Sequence, residues 1–262
     1  MPSLIPSFLK PAPRRPTGSP DTAPDGLRGA GVHAADWVDE RMGMSNGLRW
    51  VMFRKVPKGT NWFYTLGTAS MFAFISQAVT GIFLAMYYRP DAGGGAYESV
   101  RHINDDVFLG QFVHGMHKWG SSVMVILVCL HMARTFFFGA YKYPRELNWV
   151  IGVALLVLTL IMSFNGYLLP FDQRSFWATV VGNNVNGTAP LIGPYLADSL
   201  MGGAEFNTAT LSRFYSIHML VVPSIIAAMI GAHLWLVVKL GTTAPPWIKP
   251  KRHDEPEQEV VV

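Results

Sequence analysis

"HKWGSSVMVILVCLH", residues 117–131, places a long apolar run between two histidines. An imidazole taken into a low-dielectric interior needs a partner, so the stretch poses two questions: which interior it occupies, and what the two rings hold. The remaining sequence answers the first. Residues 62–88, 147–171 and 214–238 contain no Asp, Glu, Lys or Arg, and 119–141 is interrupted only by Arg134. Each run exceeds the roughly 20 residues that an α-helix needs to cross about 30 Å of hydrocarbon. Half of the 262 residues are apolar and only 15% are charged. Buried helices of a large soluble protein are rarely this long without charge. The expected fold is an all-α membrane protein with four transmembrane helices, numbered here as the first to fourth spans.

Cys129 stands alone within the second span, which excludes a disulfide framework and a cysteine-based metal site. The basic residues set the orientation. Nine precede the first span (Lys10, Arg14, Arg15, Arg28, Arg41, Arg49, Arg54, Lys55, Lys58), Lys142 and Arg145 occupy the short turn between the second and third spans, and Lys239, Lys249, Lys251 and Arg252 follow the fourth. With four spans these segments share one side, and the positive-inside rule puts both termini on the cytoplasmic side, in a bacterial inner membrane. The net charge of +4 reflects this asymmetry, and no nucleic-acid patch is expected.

Residues 1–34 form a Pro-rich segment expected to be disordered and lacking the apolar core of a cleavable signal peptide. Residues 35–61 form an amphipathic interfacial segment, 62–241 the helical domain, and 242–262 a charged tail. The connection over 172–213 is too long for a plain loop and should hold short surface helices, the first capped by Asp172.

His33, His102 and His253 lie in polar or terminal segments, and His114 at the mouth of the second span. His117 and His131 are separated by 14 residues, His218 and His233 by 15. Fourteen helical residues rise about 21 Å and return to within roughly 40° of the starting direction, so each pair points one way at two depths. Pro223 lies between the fourth-span histidines, where a change of winding would restore the alignment lost to the extra residue. Two facing helices then offer two imidazole pairs, the axial set of a low-spin haem iron. Zinc fits less well, since each level has two ligands and no nearby Cys or carboxylate. Gly67 and Gly81 in the first span, and Gly152 and Gly166 in the third, repeat the 14-residue period. Glycine is poor in a helix interior but permits close approach of a ring or a second helix. The shared period favours two stacked haems flanked by glycine faces. Arg134 and Arg213 are candidates to pair with haem propionates, or are ordinary interfacial basic residues.

"VHGMHKWGSSVMVILVCLHMAR" (113–134), "GYLLPFDQRSFWATV" (166–180) and "TLSRFYSIHML" (210–220) resemble the cytochrome b family of quinol:cytochrome c and plastoquinol:plastocyanin oxidoreductases. "YYRP", "KYPREL" and the 15-residue histidine spacing are similar to its short, split, chloroplast-type branch. The resemblance implies a di-haem four-helix bundle with two non-covalent b-type haems, His117 and His218 on the positive side, His131 and His233 on the negative. It further implies a quinol oxidation pocket lined by Tyr167, Phe171, Phe176, Trp177 and Ala178, and quinone reduction on the opposite side. The implied partners are a Rieske iron–sulfur protein, a c-type cytochrome and the lipid membrane, in a dimeric complex.

Several residues depart from the family pattern. Thr65 in "NWFYT" stands where split-type relatives carry the Cys that attaches an extra haem, so no covalent haem is expected. His114 stands where the family has Arg, Phe171 where it has Trp, and Val238 where relatives often have Arg, leaving Lys239 as the candidate for the negative-side quinone. The family's Pro-Glu-Trp-Tyr motif is absent, so a second, subunit-IV-like cytochrome b chain is expected to complete the quinol site. Two other readings remain: the cytochrome subunit of another quinone-linked dehydrogenase or hydrogenase, and a non-redox membrane scaffold whose histidines only pack.

Overall fold

The computed structural model describes residues 36, 37, 39, 57–203 and 205–248. It divides into two units, residues 1–56 and 57–262, and the account concerns the second. Most of the expected interfacial segment 35–61, and all of 1–34, lie outside the described residues.

The described residues are helical throughout, without strands. After a 3₁₀ turn, Trp62–Thr65, come α1 (Leu66–Ala85), α2 (Gly95–Asp105), α3 (Gly110–Phe137), α4 (Glu146–Leu168), α5 (Gln173–Gly187), α6 (Gly193–Met201), α7 (Thr208–Ser216) and α8 (Val222–Leu240). A π-helical stretch, Ile217–Val221, joins α7 to α8, so Thr208–Leu240 runs on as one span. Four helices among the described residues are long and apolar enough to cross a membrane. Their outer faces carry large exposed apolar side chains, among them Phe72, Ile82, Trp119, Ile126, Val150 and Trp235. Such faces are costly in water and at home in hydrocarbon, and the chain is an integral membrane protein.

The second span starts earlier than its charge-free run suggested, because α3 begins at Gly110 and carries His114, His117 and Lys118 within the helix. Packing pairs α1 with α3 and α4 with α8. At one end Ala96, Leu168, Leu211 and Phe214 form a buried cluster where α2, α4 and α7 meet. Asp172 caps α5 as expected: its Oδ1 accepts from the Ser175 N–H at 2.7 Å. Replacing Asp172 with Ala should destabilise this first turn by about 0.5–2 kcal/mol, seen as faster amide exchange at residues 174–176; unchanged exchange would show that the cap contributes nothing.

The α7–α8 junction accounts for the unequal histidine spacings. Pro223, the second residue of α8, has no N–H to donate, and the Val222 N–H bonds to the Ile217 carbonyl five residues back. This wider turn absorbs one extra residue, and His218 sits inside it.

Candidate functional site

Between the packed helix pairs the four histidines meet two by two. The His117 and His218 ring centroids lie 6.2 Å apart with planes at 79°, and those of His131 and His233 lie 6.4 Å apart at 81°. The two levels share one geometry although their sequence spacings differ.

Each ring faces a glycine, and three of the four occupy the space a side chain there would need. A Cβ at Gly81 would come 3.1 Å from His117 Cε1, and one at Gly67 would come 3.1 Å from His131 Cε1. At Gly166 it would fall 2.5 Å from His218 Cε1, whereas at Gly152 it would reach His233 Cε1 only at 3.8 Å. The 14-residue glycine period on α1 and α4 therefore follows the histidine period on α3 and α8, with the imidazoles filling the missing side chains' space.

Hydrogen bonds orient the upper pair, at the α2 end of the bundle. The His117 Nδ1 lies 2.9 Å from Thr80 Oγ1, and the His218 Nδ1 3.0 Å from the Met162 carbonyl oxygen. A carbonyl only accepts, so the His218 proton resides on Nδ1 and Nε2 keeps its lone pair for a metal. In the lower pair the buried His233 Nδ1 faces the Asn148 backbone without a hydrogen bond of good geometry.

The donor set selects among metals. Among the described residues no group of three or more His, Cys, Asp or Glu is placed to hold a metal ion, so each level supplies two nitrogen donors. Zinc takes four protein ligands in a structural site. An iron whose other positions are filled by a macrocycle needs the two that are present. Two imidazoles on opposite sides of one metal, with bonds of roughly 2.0–2.1 Å, have centroids about 6 Å apart, close to the spacing found here.

Arg134 lies beside the lower pair, one turn beyond His131. Its guanidinium carbon stacks 3.7 Å from the Tyr64 ring centroid, and its buried Nε and Nη2 lack hydrogen-bond partners of good geometry among the described residues. Buried orphan donors are costly, and a carboxylate would satisfy them. Arg213 lies against Gly202 at the end of α6. His114 is tied to α2 through Nδ1, 2.8 Å from Asn104 Oδ1. Thr65 donates its hydroxyl to the Trp62 carbonyl at 2.6 Å, and Lys239 places its Nζ 4.8 Å from the Trp235 ring centroid.

At the opposite end from Arg134, Phe171, Phe176 and Trp177 line a cleft together with Asp172 and Gln173. Tyr167 and Ala178 are not among its lining residues. Phe171 has φ +49°, a left-handed conformation uncommon for an aromatic residue. The Tyr88 hydroxyl, on the chain after α1, donates to the Leu169 carbonyl at 2.7 Å and braces the turn before Phe171. Burial, and then the neighbouring Tyr215, push the Tyr88 phenol well above its usual range, which keeps it neutral and donating.

The sequence marks Thr80 only as a hydroxyl directly before a periodic glycine, and Tyr64 and Tyr88 only as members of "NWFYT" and "YYRP". The roles of the two tyrosines depend on how the helix ends come together.

The Cytochrome b/b6/petB family profile matches residues 51–241. The chain is 42% identical over 212 residues to the cytochrome b6 of Heliobacterium modesticaldum, covering 80% of this chain and 99% of that one. It is 38% identical over 218 residues to the menaquinol:cytochrome c reductase cytochrome b subunit of Geobacillus thermodenitrificans, covering 80% and 97%. A solved hyperthermophilic respiratory Complex III has a chain that superposes with a TM-score of 0.76 at 29% identity, over 85% of this chain and 59% of that chain's length. The profile, the relatives and the four-span helical fold agree, and the chain belongs to the cytochrome b/b6 family of haem b proteins.

Proposed function

We propose that the chain is the di-haem cytochrome b subunit of a quinol:cytochrome c oxidoreductase, carrying electrons across the membrane between a quinol oxidation site and a quinone reduction site. The observation that carries this reading is the pair of matched imidazole sets, with centroids 6.2 and 6.4 Å apart at two depths. The naming of one relative as a menaquinol:cytochrome c reductase subunit supports the reaction class.

In this reading His117 and His218 hold the positive-side haem, and His131 and His233 the negative-side haem. Two b-type haems bound there supply one-electron redox chemistry at two depths. The glycines of α1 and α4 let the ligand helices approach closely, and the apolar bundle excludes water. Arg134 offers its orphan donors to a propionate of the negative-side haem. Phe171, Phe176 and Trp177, which line the cleft, together with Tyr167 and Ala178, form this chain's part of the quinol pocket. The Pro-Glu-Trp-Tyr part of that site would come from outside these 262 residues. The proposed partners are a Rieske iron–sulfur protein, a c-type cytochrome and a second cytochrome b chain, in a dimeric complex of the bacterial inner membrane with the basic segments on the cytoplasmic side.

Quinol-driven reduction tests the reading. Adding a short-chain quinol to the purified complex should reduce both haem b and cytochrome c, while a complex whose haem b no quinol reduces would contradict it. A separate expectation concerns Thr65, whose hydroxyl cannot form a thioether. A haem-stained denaturing gel should show no band for the native chain, and a stained band would contradict it.

A further inference from the structure

We propose that the Thr80 hydroxyl lowers the reduction potential of the positive-side haem by accepting a hydrogen bond from the Nδ1–H of its ligand His117. The inference rests on the reading of His117 and His218 as haem ligands. Thr80 lies on α1, five residues before its end at Ala85, and is only 6% exposed. A hydroxyl has one proton to give, and this one goes to the Ser76 carbonyl at 2.7 Å, with the Gln77 carbonyl a longer second acceptor at 3.2 Å. Toward His117 Nδ1, at 2.9 Å, Thr80 Oγ1 therefore acts as acceptor. The next residue, Gly81, lets the ring come this close. The Thr-Gly pair is thus both the seat of the ring and its hydrogen-bond acceptor.

An acceptor on the distal N–H fixes the imidazole tautomer and makes the ligating nitrogen more basic. A more basic ligand favours the more positively charged, oxidised iron, so the potential falls. The upper pair has both rings so engaged, His117 on Thr80 and His218 on the Met162 carbonyl. In the lower pair the His233 Nδ1 has only the Asn148 backbone beside it, without a hydrogen bond of good geometry. The two sets of ligands are alike in type and geometry, and this difference in hydrogen bonding separates them.

The test is potentiometric titration of both b haems in the purified complex, for the native chain, Thr80→Val, Thr80→Ala and Thr80→Ser. Thr80→Val keeps the shape and removes the acceptor. At a fixed ambient potential the reduced-to-oxidised ratio of the positive-side haem should rise about threefold to tenfold, the range of one such hydrogen bond. The negative-side haem should stay unmoved, and Thr80→Ser should return the ratio toward native. Thr80→Ala should shift it the same way as Val, which keeps the test usable if the branched side chain assembles poorly. Full haem occupancy with neither potential changed, or with both moved equally, would overturn the Thr80 role alone. If His117→Leu left the haem content intact, the ligand reading itself would fall, and the Thr80 role with it.

Discussion

Replacing His131 with Leu is expected to lower the haem content from two per chain to about one. Leucine is apolar and close in volume to the ring it replaces, so it suits a membrane interior, but it has no lone pair for iron. His233 would remain 15 residues beyond His218 with no partner across the bundle. The level of His117 and His218 does not include this residue, so its spectrum should persist in the variant and show that the fold survives. Unchanged haem content would remove His131 from the ligand set. Loss of both haems with loss of the folded chain would mean that the substitution reports on assembly, and the persisting spectrum distinguishes the two cases.

The glycine seats yield a second large effect with a built-in control. An alanine Cβ at Gly166 would lie 2.5 Å from His218 Cε1 and 2.9 Å from its Nδ1, closer than real side chains approach. The ring would have to turn, and turning it breaks the bond from Nδ1 to the Met162 carbonyl. Overpacking of this kind costs about 1–3 kcal/mol, enough to empty the positive-side level in much of the protein. At Gly152 the same methyl meets His233 Cε1 at 3.8 Å and Met132 Sδ at 3.7 Å, ordinary contact distances. Gly166→Ala should therefore lose the positive-side haem signal while Gly152→Ala retains both haems. Equal haem content in the two variants would show that the glycines serve helix packing and not the imidazoles.

Much of this architecture was legible in the sequence because a membrane penalises charge so strongly. The charge-free runs locate the four spans, and the spacings of His117, His131, His218 and His233 predict two levels. The glycine period was legible for the same reason, since a helical register repeats faithfully over many turns. Charge-free runs blur where a helix leaves the hydrocarbon. Residues His114, His117 and Lys118 are polar yet helical, so the true start of α3 at Gly110 was hidden. Likewise "TLSR" falls in the connection assigned to 172–213, but it belongs to α7, which runs on into the fourth span.

The rest depended on relations between helices. Pro223 signalled altered winding, but that the change would be a π-helical stretch containing His218 needed the backbone hydrogen bond from Val222 to Ile217. Thr80 stands directly before the periodic Gly81, but its pairing with His117 depends on the rotation of α1 against α3, which no one-dimensional pattern records. The cleft at Phe171 was legible in part: Phe171, Phe176 and Trp177 line it, and Asp172, read as a helix cap, lines it too.

The most direct test of the central claim is the haem content of the purified chain, measured as pyridine haemochrome against protein concentration. The account predicts two b-type haems per chain, one for each imidazole pair. A chain without haem, or with a single haem that survives substitution of both His131 and His233, would contradict it and return those histidines to helix packing.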